Sequence, residues 1–150
     1  MATDVSAVSA RAFAWPLLVT VAYVVTYYAM IVNQLMVKTR LRRAYQARGE
    51  TFDRYFGADR EMLAADRYVG NMLEHMPAFL VLLWLNAVFV GPRGAAVAGA
   101  AYVLSRLLYP IIMGRRLGKG VPNRMLFATL IGYAVLGTLA VRLMLAALAA

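Results

Sequence analysis

Four long apolar runs dominate this chain of 150 residues. They extend over about residues 12–37, 64–90, 95–113 and 123–149. A helix needs about 20 mainly apolar residues to cross a bilayer, and the hydrocarbon core tolerates only structures that satisfy their own backbone hydrogen bonds. Short connections place consecutive helices side by side and antiparallel. The sequence therefore predicts an all-α integral membrane four-helix bundle of up-down topology, with one transmembrane domain over residues 1–150.

The composition excludes several other classes of protein. Hydrophobic residues make up 63% and charged residues 15%, whereas soluble domains have about 45–50% and 25%. The chain has no cysteine and one histidine, His75, so it has no disulfide framework, no cysteine nucleophile and no set of histidines for a metal centre. We predict no bound metal. The net charge of +9 is explained by membrane topology, and we predict no nucleic-acid partner.

The basic residues are distributed unequally between the two sides of the predicted membrane. Two arginines, Arg11 and Arg93, lie on one side. Twelve lysines and arginines lie in or beside the predicted loops 38–63 and 114–122, namely Lys38, Arg40, Arg42, Arg43, Arg48, Arg54, Arg60, Arg67, Arg115, Arg116, Lys119 and Arg124. Because lysine and arginine are enriched in cytoplasmic loops, we expect both of these loops in the cytoplasm and both chain ends outside.

The second apolar run begins with polar side chains that share one helical face. Arg67, Asn71 and Glu74 are spaced i, i+4 and i+7, and His75 follows Asn71 by four residues. Polar groups at membrane depth are costly, so they usually face a bundle interior or a cavity. Pro77 comes next, where a helix loses a hydrogen bond and tends to kink.

The third run carries a matching stripe. Tyr102, Arg106, Tyr109 and Met113 recur at steps of four, three and four. At 1.5 Å per residue, Arg106 and Glu74 both fall in the cytoplasmic half of the bundle. Their side chains can meet within one chain or between two.

Each polar residue has a structural interpretation when taken alone, because polar side chains commonly join transmembrane helices. Two polar stripes at one depth, beside a basic cytoplasmic rim, instead favour a site for an anionic ligand, since arginine binds carboxylates in a bidentate manner. Small residues four apart, Ala95 with Gly99 and Ala128 with Gly132, offer close-packing seams. We therefore expect a homo-oligomer.

Four segments of the chain resemble the MAPEG family, the membrane-associated proteins in eicosanoid and glutathione metabolism. The pattern Arg67-x3-Asn71-x2-Glu74 with its following proline is similar to that family's second-helix signature. The other three segments are similar to the end of its first helix, a motif of its third and the start of its fourth, namely Arg40 to Tyr45, Arg106 to Tyr109 and Pro122 to Arg124. The resemblance covers roughly residues 12–148 in the right order.

The resemblance implies a homotrimer of the bacterial inner membrane that uses glutathione as a co-substrate. It implies a transferase for lipophilic electrophiles or a peroxidase for lipid hydroperoxides, with glutathione bound between subunits in the cytoplasmic half. The residues that match the family's glutathione contacts are Arg40, Arg67, Asn71, Glu74, His75, Arg106 and Tyr109.

The resemblance assigns catalysis to Arg124, as the arginine that stabilises the glutathione thiolate, with Tyr109 as a supporting donor. Two departures from the family pattern affect turnover. Met113 replaces a tyrosine usual on the third helix, and a slightly longer loop leaves Arg115, Arg116 or Lys119 as alternatives to Arg124.

Two other functions remain open from the residues alone. One is a non-catalytic lipid-binding or scaffold protein of the same fold. The other is a small proton-coupled exporter that uses Glu74 as its membrane carboxylate. Arg67 and Arg106 argue against the exporter, which needs a carboxylate without surrounding arginines.

Overall fold

The computed structural model describes residues 11–118 and 123–149, and this part of the chain forms four helices without strands. Each helix contains a stretch long and apolar enough to cross a membrane. This confirms the predicted all-α, multi-pass membrane bundle. The helices are α1 (Ala14–Ala47), α2 (Arg60–Phe89), α3 (Pro92–Met113) and α4 (Asn123–Leu148).

The two middle helices form the centre of the bundle. Both α2 and α3 contact all the other helices, whereas α1 and α4 do not contact each other in the described part of the chain. The end where α1 finishes, α2 begins and α3 finishes carries most of the arginines, and we call it the arginine-rich end.

The helix bounds differ from the prediction at the arginine-rich end. α1 continues ten residues past Val37 to Ala47, and α2 begins at Arg60, four residues before the predicted start. Lysine, arginine, glutamine and alanine all favour helix, so α1 does not end where its apolar run ends. Asp59 starts α2 by accepting hydrogen bonds from the backbone N–H groups of Glu61 and Met62. The predicted loop 38–63 is therefore reduced to residues 48–59, and the predicted loop 114–122 lies partly outside the described residues.

Aromatic side chains fill the centre of the bundle. Phe79 of α2 stacks on Tyr102 of α3, with ring centroids 4.2 Å apart, and Tyr23 of α1 packs against Phe79 at 4.9 Å. The Tyr23 hydroxyl donates a hydrogen bond of 2.7 Å to the carbonyl of Met72. These contacts fix three helices relative to one another around the middle of the membrane.

Ala95 and Gly99, two of the small residues expected at a seam between copies, pack inside the chain. Ala95 is fully buried. A Cβ added to Gly99 would lie 2.8 Å from side-chain atoms of both Leu83 and Val19. Gly99 therefore allows α3 to approach α2 and α1, and this seam does not supply a subunit interface.

One hydrogen bond fixes the relative depth of the elements at the arginine-rich end. The Tyr68 hydroxyl donates to the carbonyl of Gly114, which follows the last residue of α3. At 1.5 Å per residue the 22 residues of α3 extend about 33 Å, close to the roughly 30 Å thickness of a hydrocarbon core. Tyr68 therefore lies close to one surface of that core, and later residues of α2 lie deeper.

Candidate functional site

A buried arginine lies at the centre of the polar region. Arg106 of α3 is 2% exposed. Its guanidinium donates to the side-chain oxygen of Asn71 on α2, which is itself 3% exposed, and its Nε donates to the Ser105 hydroxyl at 3.3 Å. The predicted inward stripes of α2 and α3 thus meet inside a single chain through Asn71 and Arg106.

Two tyrosines of α3 flank this guanidinium. The Arg106 Cζ lies 5.0 Å from the ring centroid of Tyr102 and 5.8 Å from that of Tyr109, within the range of cation–π attraction. Both hydroxyls are buried and have no hydrogen-bond partner among the described residues. Since buried hydroxyls are nearly always paired, these two groups have unused capacity to bind a ligand or water.

A glycine of α4 makes room for the guanidinium. A Cβ placed on Gly132 would overlap Nη2 of Arg106 and lie 2.9 Å from its Cζ. Gly132 was predicted only as one of the small residues at a seam, and Ser105 was not singled out. The sequence feature that could have indicated the role of Gly132 is a glycine within an apolar helix, because such a glycine often has a packing reason.

The other two charged groups predicted on α2 face outward. Arg67 and Glu74 form an ion pair of 3.3 Å, and their side chains are 46% and 54% exposed. Glu74 follows Tyr68 by six residues and therefore lies about 9 Å deeper in the membrane. The sequence left open whether Glu74 meets Arg106 within one chain. It does not: Glu74 pairs with Arg67, and Arg106 donates to Asn71.

His75 lies between the buried cluster and the exposed pair. Its ring is half-buried and makes an edge-on contact with Tyr133 of α4, with centroids 5.0 Å apart. His75 is therefore placed at the contact between α2 and α4.

Arg40 lies on a different side of α2 from Arg67 and Glu74. It pairs with Glu61, and Arg115 lies 3.7 Å from the same carboxylate. The three residues line a cavity of about 590 Å³ between α1, α2 and α3. At about 100° per residue, Arg67 and Glu74 lie far around α2 from Glu61. One chain therefore does not bring Arg40 and the Arg67–Glu74 pair to the same ligand.

The predicted thiolate-stabilising residue is described only in part. Arg124 lies in the first turn of α4, and its side chain is outside the described residues, as is the whole of Lys119. Among the alternatives, Arg115 is engaged near Glu61, and Arg116 lines a second cavity with Arg115 and Arg40. Both therefore lie on the side of α2 away from the exposed pair.

These features define a multi-pass membrane protein with two polar features in the same half of the bundle. One is a buried cluster of Arg106 with Asn71, Ser105, Tyr102 and Tyr109, and the other is the outward Arg67–Glu74 ion pair. The model of the MAPEG family matches residues 14–145, and the chain belongs to this family. Members of the family generally use glutathione.

An uncharacterized protein from Synechocystis sp. is similar to this chain. It is 30% identical over 97 residues, which cover 63% of this chain and 64% of that protein. The chain thus spans less than two thirds of the length of the relative.

Proposed function

We propose that the protein is a membrane-bound glutathione-dependent enzyme that conjugates lipophilic electrophiles or reduces lipid hydroperoxides. The observation that carries this proposal is the ion pair between Arg67 and Glu74 on the outward side of α2. Charged groups at membrane depth rarely face lipid, because that exposure costs several kcal/mol. A polar ligand or a neighbouring chain must therefore cover them.

Glutathione has the charges that such a pair can bind. It carries two carboxylates and one ammonium group. The Arg67 guanidinium matches a carboxylate, and the Glu74 carboxylate accepts hydrogen bonds from the ammonium. Both side chains are about half exposed, so they can exchange part of their mutual contact for contact with glutathione.

A second copy of the chain completes the site in this proposal. Arg40 lies on a different side of α2 from the exposed pair, so the two reach one ligand only across a subunit interface. The family resemblance implies a trimer with glutathione between subunits in the cytoplasmic half. The half-exposed Arg40 side chain is then the contribution of the neighbouring chain.

The buried cluster holds α2 in place beneath the ligand. Arg106 and Tyr109 are each 2% exposed. Glutathione therefore reaches Arg106 only if α4 moves away at Gly132. It reaches Tyr109 only if the packing of that ring against Ala64 and Tyr68 of α2 opens. In this proposal His75, which contacts Tyr133 between α2 and α4, moves when α4 moves. Direct contacts of Asn71, Arg106 and Tyr109 with glutathione remain a prediction.

The chemistry needs a thiolate and no protein nucleophile. A free thiol titrates near pH 8.5, and lowering its pKa by about two units takes about 2.7 kcal/mol. One hydrogen bond to a charged group contributes about 1.5–3 kcal/mol. One arginine, Arg124 in this proposal, is therefore sufficient, and the unpartnered Tyr109 hydroxyl is a candidate second donor.

Both reactions balance with glutathione alone as the second reactant. In conjugation the sulfur forms a bond to the electrophilic carbon, and the leaving group departs with its electron pair. In peroxide reduction two glutathiones are oxidised to the disulfide, and the hydroperoxide is reduced to an alcohol and water. The apolar outer surface of the helices gives the lipophilic reactant access from the bilayer.

Glutathione binding to detergent-purified protein, measured by calorimetry, tests the proposal. Arg67→Ala and Glu74→Gln should each weaken binding by about 1.5–3 kcal/mol, which is about 10- to 150-fold, because each loses a hydrogen bond between charged groups. Arg93→Ala is the matched control, since Arg93 is an exposed arginine at the opposite end of the bundle, and it should bind as wild type.

Two results would count against the proposal. If folded Arg67→Ala and Glu74→Gln bind glutathione as tightly as wild type, the pair only joins subunits. If wild type binds glutathione but does not conjugate it to an activated aryl halide or reduce a lipid hydroperoxide, the protein is a non-catalytic binding member of the fold. The exporter is disfavoured because Glu74 already has a cationic partner in Arg67.

A further inference from the structure

Two aromatic side chains of the α1–α2 connection are almost completely exposed. Tyr55 is 83% and Phe56 is 93% exposed. They lie in residues 48–59, outside the four helices, so the lipid-facing sides of the helices do not account for them. Phe56 is the most exposed large hydrophobic side chain in the described part of the chain.

Hydrogen bonds to one aspartate hold the turn that presents these rings. One side-chain oxygen of Asp53 accepts hydrogen bonds from the backbone N–H groups of Tyr55 at 3.0 Å and Phe56 at 2.9 Å. The same bonds, from Phe56 first and then from Tyr55, lower the pKa of Asp53 below its usual value because they stabilise its charged form. A Cβ on Gly57 would overlap the Asp53 carbonyl oxygen, so the turn also requires its glycine.

A second set of contacts ties this turn to a defined depth. Arg54, which lies within the turn, donates hydrogen bonds from both terminal nitrogens to the carboxylate of Asp66 on α2, at 2.9 and 2.8 Å. Gln34 of α1 donates to the same carboxylate at 2.8 Å. Asp66 precedes Tyr68 by two residues, about 3 Å along the helix, and Tyr68 bonds to the end of α3. The turn is therefore held beside the surface of the hydrocarbon core.

We propose that the turn 53–57 is a membrane-interface anchor, in which Tyr55 and Phe56 insert into the boundary between the lipid headgroups and the acyl chains. Aromatic rings favour this boundary. The occupant is lipid because the Arg54–Asp66 tether places the rings at the level where headgroups begin. This anchor is separate from the glutathione site and does not depend on it.

A single-cysteine label tests the anchor, since the chain has no native cysteine. Phe56→Cys carrying an environment-sensitive fluorophore is reconstituted into phosphatidylcholine vesicles with nitroxide-labelled lipids. We expect blue-shifted emission that is strongly quenched by a nitroxide near the headgroup, weakly by one deep in the acyl chain, and weakly by aqueous iodide. Glu50→Cys is the control, since Glu50 is exposed beside the end of α1. Its label should show red-shifted emission that is strongly quenched by aqueous iodide and weakly by both nitroxides.

A second variant tests whether the Arg54–Asp66 contact sets the depth of the label at position 56. Arg54→Ala should shift the emission of the label at position 56 to the red and reduce its quenching by shallow nitroxides, whereas Arg93→Ala should leave both unchanged. Water-like emission with strong iodide quenching at position 56 would overturn the anchor. Shielding from both iodide and nitroxides would also overturn it, because the rings would then be covered by a second copy of the chain.

Discussion

At the scale of single residues, the burial of the Arg106 charge is costly for this bundle. Removing a charge from water costs several kcal/mol unless hydrogen bonds and nearby electron-rich groups compensate. Here Asn71 and Ser105 accept hydrogen bonds from the guanidinium, and the rings of Tyr102 and Tyr109 flank it. The site is tight because α4 approaches without a side chain at Gly132.

Gly132→Ala should destabilise the protein through Arg106. The added Cβ would overlap the guanidinium, and overpacking of a filled core typically costs about 1–3 kcal/mol. Gly137→Ala is the matched control on the same helix, because a Cβ at Gly137 has no heavy atom within 4 Å among the described residues. Its effect should be neutral or stabilising, since alanine favours helix over glycine by about 1 kcal/mol.

Thermal unfolding in detergent, followed by the helical circular dichroism signal, distinguishes the two glycines. A lower midpoint for Gly132→Ala than for Gly137→Ala supports close packing against Arg106. Equal midpoints would mean that the guanidinium moves aside at no cost.

At the scale of helices, the parts of α1 and α2 beyond the end of α3 pack against each other as a small hairpin. Leu41 of α1 packs with Met62 and Ala65 of α2. The Tyr45 hydroxyl donates to Asp59 at 3.1 Å. Asp59 thus both starts α2 and joins it to α1.

Asp59→Ala should loosen the first turn of α2. Loss of an aspartate that caps a helix costs about 0.5–2 kcal/mol, which corresponds to about 2- to 30-fold faster local hydrogen exchange where opening is local. Exchange measured by mass spectrometry should increase for peptides covering residues 60–63. Tyr45→Phe is the control, because it removes the bond across the hairpin and leaves the two backbone contacts of Asp59 intact. An equal increase in Tyr45→Phe would assign the effect to hairpin contact and not to capping.

The sequence predicted the number and type of helices because membrane-spanning segments have a strong hydropathy signal. It did not predict the ends of α1 and α2, since hydropathy reports where a helix leaves the membrane and not where helical hydrogen bonding stops. Periodicity placed Asn71 and Glu74 on one face, but one turn of helix separates a buried partner of Arg106 from an exposed partner of Arg67. Which side faces another helix depends on tertiary packing, which periodicity does not contain.

At the scale of the whole molecule, the single chain leaves polar groups on two separate sides of α2. One side carries the Arg67–Glu74 pair, and the other carries Arg40 and Arg115 around Glu61. The buried Asn71–Arg106 contact is complete within one chain. The proposal of a second copy therefore rests on the outward pair and not on the buried arginine.

An oligomer that covers the outward pair should bring Arg40 of one chain close to Arg67 of the next. Two differently tagged single-cysteine chains, Arg40→Cys and Arg67→Cys, are co-expressed and treated in membranes with a flexible bismaleimide. Any product that carries both tags joins two different chains, because each chain has one cysteine. We expect this product for the pair of positions 40 and 67.

Val97→Cys, combined with Arg67→Cys, is the control for this experiment. Val97 is 73% exposed and lies near the start of α3, at the opposite end of the bundle, so its thiol reacts but should not cross-link to position 67. If the 40–67 product is absent while a small maleimide labels both cysteines, the two sides of α2 do not meet. Bound glutathione alone would then have to cover the outward ion pair. In that case, weaker glutathione binding by Arg67→Ala and Glu74→Gln would still support a site formed by Arg67 and Glu74 within one chain. Arg40 would then have no part in the site.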